Sequence, residues 1–174
     1  MAKNKSKIPR IKGEPVDFTI KKEGWNTYEI QDDYPVLLKG RAVVVKILKT
    51  DEYNSLTGEP VYNIAYQNIF VTFAPQEIKG DPSPPFSDQE RIASIVKEVD
   101  FKTIEEVWNE YLLKDNTICR IKLVVTGVQR TKLYAPDGDP IYNINSQIVS
   151  RFIVPKHLRK LPKAEAEKGH ITFQ

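Results

Sequence analysis

The chain has 174 residues, 40% hydrophobic and 28% charged, with 26 Lys+Arg against 23 Asp+Glu and a formal charge of +3. That is enough for one or two small domains with a real core, and too little for a large multidomain enzyme. Its 2 Trp, 8 Tyr and 7 Phe argue against a wholly disordered chain, and no apolar run approaches the roughly 20 residues that cross a bilayer.

The basic start, Met1 to Lys7, lacks the apolar core of a signal peptide. Cys119 is the only cysteine, which excludes an intramolecular disulfide framework and a Cys-rich zinc site. A cytoplasmic, soluble protein is expected. The small net charge is a cancellation. Residues 1–49 carry 11 basic and 6 acidic side chains, residues 50–116 carry 5 and 13, and residues 117–174 carry 10 and 4.

Residues 1–15 form a basic arm containing Lys3, Lys5, Lys7, Arg10 and Lys12. Beyond the arm the chain reads as a tandem duplication, with units at 16–75 and 99–155. Val16-Asp17-Phe18 recurs 83 residues later as Val99-Asp100-Phe101. In the same register Glu23, Trp25, Asn26, Tyr28 and Asp32 meet Glu106, Trp108, Asn109, Tyr111 and Asp115. A later block pairs Gly58-Glu59-Pro60-Val61-Tyr62-Asn63-Ile64 with Gly138-Asp139-Pro140-Ile141-Tyr142-Asn143-Ile144, at an offset of 80.

Each unit reads as three strands: 24–30, 36–49 and 61–73 in the first, and 107–113, 118–130 and 141–154 in the second. Alternation places Asn, Tyr and Ile or Leu on one face of the first strand and Trp on the other. The second strands are β-branched runs. Thr57-Gly58 and Asp137-Gly138 supply the positive φ of hairpin turns.

A lone three-stranded meander has too little core to be comfortable by itself. The expected fold is therefore mainly β, with two antiparallel meanders covering each other about a pseudo-two-fold axis as a six-stranded barrel or sandwich. Two small barrels side by side are the alternative. Trp25 and Trp108 are expected as core anchors, and Tyr62 and Tyr142 as core residues with hydroxyls at its rim.

Residues 76–98 join the units. Lys79-Gly80-Asp81-Pro82-Ser83-Pro84-Pro85 is a semi-rigid linker. Ser87-Asp88-Gln89-Glu90 matches a capping box, and Ile92, Ile95, Val96 and Val99 recur at helical spacing. One amphipathic helix over 88–98 is expected to plug an open end of the β-assembly. The tail, 156–174, is polar and basic, with room for a short helix over 163–168.

Chemistry-bearing patterns are sparse. His157 and His170 both lie in the tail, and no histidine neighbours Cys119 in sequence. Asp17 with Asp100, and Glu23 with Glu106, would share a proton or a cation if each pair met across the axis. Strand-entry caps and solvated glutamates are the plainer expectation. No Gly-rich phosphate loop or nucleophile elbow occurs. No catalytic residue, cofactor, metal or small-molecule substrate is inferred, and a non-enzymatic protein is expected.

The surface carries the functional expectation. Single-stranded nucleic acid needs rings to stack on, amides for base edges and cations for phosphates. Tyr66 is the aromatic candidate, with Tyr53 and Tyr134 also expected to be exposed. Arg41, Lys46 and Lys49 in the first unit, and Lys122, Arg130 and Arg151 in the second, supply strand cations. Lys156, Arg159 and Lys160 extend the basic set into the tail, opposite the N-terminal arm. Single-stranded DNA or RNA binding is the leading expectation. The alternative is an assembly subunit whose acidic middle meets the basic ends of a neighbour.

Overall fold

The computed structural model describes residues 10–160. It is mainly β, with two five-stranded antiparallel sheets and no closed barrel. In the first sheet, β3 (Asn26–Gln31) and β5 (Pro60–Phe73) flank the long β4 (Pro35–Tyr53). In the second, β8 (Asn109–Leu113) and β10 (Pro140–Ile153) flank β9 (Ile118–Tyr134). Strict alternation makes these strands: Asn26, Tyr28 and Ile30 are buried on β3, as are Asn109, Tyr111 and Leu113 on β8.

The remaining strands correct the three-stranded unit. β2 (Phe18–Lys22) leaves the first unit and pairs with β8, while β7 (Asp100–Glu105) leaves the second and pairs with β3. Shorter β1 (Glu14–Pro15) lies beside β4, and β6 (Ile95–Glu98) lies beside β9. The expected six strands become ten, because the entry segments are exchanged between the sheets. Their sequences conceal this. Four of the five residues of β2 and five of the six of β7 are exposed, so neither has a buried face to impose alternation.

The expected long helix is also corrected. Ser87 caps α1 (Asp88–Ala93) by accepting the Glu90 amide at 3.2 Å. The helix then stops, and the β-branched Ile95 and Val96 are drawn into pairing with β9. No residue of α1 is buried and Ile92 is 57% exposed, so it plugs nothing.

Both hydrophobic clusters draw on both sheets. Ala42, Val44 and Ile47 pack with Tyr111, Cys119 and Ile121, while Tyr28, Ile30 and Leu38 pack with Val125, Val128 and Tyr142. Tyr62 and Tyr142 are core residues, and their hydroxyls reach Asp115 at 2.6 Å and Asp32 at 2.8 Å.

Polar groups join the halves where each central strand lacks a neighbour. One flank of β4 is taken by β3 up to Gly40 and by β1 from Leu48, which leaves the Ala42 carbonyl between them. Asn109 Nδ2 donates to it at 3.1 Å, and Asn109 Oδ1 accepts the Gly24 amide at 3.0 Å. Across the molecule, Asn26 Nδ2 donates to the Leu123 carbonyl at 2.6 Å, and Asn26 Oδ1 accepts the Val107 amide at 2.8 Å. Tyr28 donates to Glu106 at 2.9 Å and Tyr111 to Glu23 at 2.8 Å.

The hairpin turns use glycine as expected: Gly58 has φ +71° and Gly138 φ +90°. The Gly58 carbonyl also accepts the Lys160 amide at 2.8 Å, and a Cβ at Gly58 would fall on the Lys160 carbonyl. Gly58→Ala is expected to lose about 1–3 kcal/mol in urea unfolding. An unchanged midpoint would show that this turn and the Lys160 segment yield freely.

Candidate interaction surfaces

Of the eleven candidate cations among the described residues, six are held in ion pairs within the molecule. Arg41 pairs with Glu23 at 2.7 Å, Lys49 with Asp115 at 3.3 Å and Lys122 with Glu106 at 3.6 Å. Arg159 pairs with Glu59 at 3.0 Å, and Lys12 lies 4.0 Å from Glu52 at the surface. Arg130 is the most occluded. Its guanidinium meets the buried Asp32 at 2.7 Å and ties β9 to the β3–β4 turn.

The rest are scattered. Lys46 stands exposed beside the Val45 bulge of β4, and the Lys160 ammonium sits 4.5 Å from the Tyr53 ring centroid. Arg10 and Lys156 are exposed at the two chain ends, and Arg151 is exposed on β10. Tyr66 is 41% exposed, opposite Val44. It lies near the place where β5 and β10 approach, marked by Asn68 Nδ2 donating to Ser146 Oγ at 3.3 Å. Lys3, Lys5 and Lys7 lie outside the described residues, as do the expected 163–168 helix and His170. Those three lysines equal the whole formal excess. Lys163 and Lys168 cancel Glu165 and Glu167, so the described body is neutral.

Both tryptophans correct the expectation of core anchors. Trp25 is 37% exposed with Arg41 over its ring at 5.7 Å, and Trp108 is half-buried beneath Arg120 at 4.9 Å and Lys122 at 5.1 Å. Each precedes an inward-pointing Asn, so alternation turns it outward. Nothing in the sequence distinguishes Arg120 as a surface residue of interest. In the fold it faces Arg151 directly across the β9–β10 ladder.

Of the carboxylates matched between the units, Glu23, Glu106 and Asp17 are engaged elsewhere. Glu23 and Glu106 each bond a tyrosine and a cation from another element, and Asp17 accepts the Phe18 amide at 2.9 Å. Burial, then the Glu106 hydrogen bond, pushes the Tyr28 phenol up to about 12. No cluster of three His, Cys, Asp or Glu suited to a metal ion occurs among the described residues.

Cys119 is fully buried, and desolvation pushes its thiol up to about 12. Because the thiolate is the reactive form, native Cys119 is expected to react with a thiol dye at least about a hundredfold more slowly than the urea-unfolded chain. Equal rates would mean that the core opens there.

The two sheets also end in open edges. Among the described residues β5 has a ladder only with β4, and β10 only with β9, although hydrogen bonds from Asn68 to Ser146, and from Thr72 and the Ala74 amide to Asp139, link β5 to the second sheet. The sequence of β5, Pro60–Phe73, contains no charged residue, and Tyr66, Ile69, Val71 and Phe73 are exposed along it. The missing charge is readable in the sequence. Its position at an open edge is not.

No helix among the described residues is long and apolar enough to cross a membrane. No family model, curated protein or solved structure matches this chain.

Proposed function

We propose that this chain is a non-catalytic assembly subunit whose main contact is an open sheet edge. The observation that carries this reading is β5, an uncharged edge strand 14 residues long with large apolar side chains exposed. Natural proteins normally blunt such edges with charge, proline, bulges or a covering element, because an unpaired strand recruits another strand. The sequence expectation of assembly through acidic and basic blocks is less favoured, since many of those charges are consumed in internal pairs.

The same reading includes descent from a tandem duplication. It is supported by contacts that recur at the spacing of the sequence repeat: Asn26 and Asn109 each reach a mid-strand carbonyl, and Tyr62 and Tyr142 each reach an aspartate in the opposite half.

Light scattering on the full chain at low and at about 1 M salt tests the proposal. Mass above the monomer that rises with concentration and survives high salt is expected, because screening dissolves charge-block contacts and spares apolar strand pairing. Monomer mass under all conditions overturns it.

A second reading, nucleic-acid binding, is favoured by one observation. Arg120 and Arg151 oppose each other on a strand pair beside Lys122 and Trp108, and the Glu110 carboxylate, 3.9 Å from Arg120, offsets only part of this positive charge, which a phosphate would offset further. Labelled single-stranded DNA, RNA and duplex DNA at low salt test it, and failure of all three removes it.

A further inference from the structure

The two long edge strands, β5 and β10, differ in one respect. On β5, Ile69, Val71 and Phe73 stand opposite Arg41, Lys39 and Leu37 of β4. On β10, Val149, Arg151 and Ile153 hold the corresponding places, opposite Lys122, Arg120 and Ile118 of β9. The patterns match except that Arg151 stands where β5 has Val71. A charge at the middle of an edge is a standard guard against strand addition. β10 has that guard, and β5 is the only strand among the described residues without a charged side chain.

The lack of charge also bears on what β5 would pair with. In antiparallel pairing about a two-fold axis, residues equally far on either side of the axis meet, so a charge at or beside the axis faces its own copy. β5 has none to repel. With the axis near Val71, Val71 meets Val71 and Ile69 of one copy meets Phe73 of the other, so the exposed apolar side chains become cross-strand neighbours. Pairing β5 with β10 of another copy would instead set Arg151 among those side chains. It would also repeat from copy to copy as an open filament.

We propose that this protein forms a closed dimer through antiparallel pairing of β5 with β5 of a second copy about a two-fold axis near Val71, and that Arg151 keeps β10 from pairing in the same way. The proposal rests on the assembly reading and names its partner.

Oxidative cross-linking of the full chain provides the test, because the only native thiol, Cys119, is buried. Val71→Cys is expected to form a covalent dimer under mild oxidation much faster than Lys102→Cys, an exposed site on β7 of the same sheet. Val71→Arg introduces the β10 guard. It is expected to weaken association on the order of a hundredfold while leaving the circular dichroism and the unfolding midpoint of the monomer unchanged. Arg151→Val is expected to produce species larger than a dimer.

Equal cross-linking at the two cysteine sites overturns the two-fold geometry. A dimer that persists in Val71→Arg overturns β5 as the contact and leaves assembly through another surface. Monomer mass in the unmodified chain overturns both this inference and the assembly reading. If Val71→Arg fails to fold, the cysteine comparison still decides.

Discussion

Asn26→Ala and Asn109→Ala are each expected to destabilise the protein by about 3 kcal/mol, seen as a fall of roughly 6–12 °C in the melting temperature. Each side chain is almost fully buried and makes two bonds to backbone groups outside its own strand. Truncating Asn109 leaves the Ala42 carbonyl and the Gly24 amide without that partner. Truncating Asn26 does the same to Leu123 and Val107. An unsatisfied buried backbone group costs about 1–3 kcal/mol, well above the net worth of an exposed hydrogen bond.

Asn63→Ala provides the contrast. Its one side-chain bond, to the Lys12 carbonyl at 3.0 Å, is exposed, and a change within about 0.5 kcal/mol is expected. Urea unfolding of the three variants decides the matter. Equal, small effects would show that water or strand movement replaces the asparagines, and that the halves are held by apolar packing alone.

The Asp32 site is expected to be as sensitive, and to carry a pH signature. The Asp32 side chain is 0% exposed and the Arg130 side chain 11% exposed, with 2.7 Å between guanidinium and carboxylate. Lys97 approaches Asp32 at 3.1 Å and the Tyr142 hydroxyl donates at 2.8 Å. Burial alone raises the Asp32 pKa. Hydrogen bonds from Tyr142, the Asp33 amide, Arg130 and Lys97 more than offset it and lower the pKa from 3.8 to about 2.

A folded-state pKa below the unfolded one contributes stability that is complete above about pH 4 and is lost as pH falls towards 2. A shift of this size is worth roughly 2–3 kcal/mol. Asp32→Asn removes that acid-labile part and strands a buried guanidinium, for an expected loss of about 3–5 kcal/mol at neutral pH. Asp115→Asn is milder, because Asp115 and Lys49 are 16% and 27% exposed and water screens what remains. Urea midpoints between pH 2 and 7 check both. An Asp32→Asn protein that keeps the acid sensitivity of the parent would assign that sensitivity to other carboxylates.

The same residues show how much of the fold is legible in the sequence. Strands β3, β4, β8 and β9 are readable because each buries one face, and burial imposes a period of two on Asn26-Tyr28-Ile30 and on Cys119-Ile121-Leu123. Strands β5 and β10 are instead readable as runs bounded by a glycine turn and a proline. β2 and β7 bury almost nothing and leave no such trace, and β6 reads as helix because Ile92, Ile95, Val96 and Val99 also fit a period of 3.6. The repeated Trp-Asn-x-Tyr pattern marks the right positions, but hydrophobicity alone points tryptophan to the core. In the fold its ring lies under cation stems at the surface, while the polar Asn goes inside to serve a carbonyl that no strand reaches. Among the interaction residues, Arg151 and Tyr66 are visible in the sequence as exposed candidates, whereas Arg130 is not distinguishable there from a free surface cation.

Composition, periodicity and self-similarity by themselves determined the β class, the central hairpins, their glycine turns and the basic–acidic–basic order of charge. Those properties depend on neighbours along the chain, or on a residue's own preference for water. Only the tertiary structure decided that the entry strands change sheets, that Lys49, Lys122 and Arg159 of the basic ends pair with Asp115, Glu106 and Glu59 of the acidic middle within one molecule, and that β5 is left at an edge. Each of these depends on which distant groups come within bonding distance. The net charge of +3 thus proves to be a neutral folded body with three lysines before it. The uncharged run 60–73, unexceptional as a stretch of sequence, becomes an edge strand with Tyr66, Ile69, Val71 and Phe73 exposed.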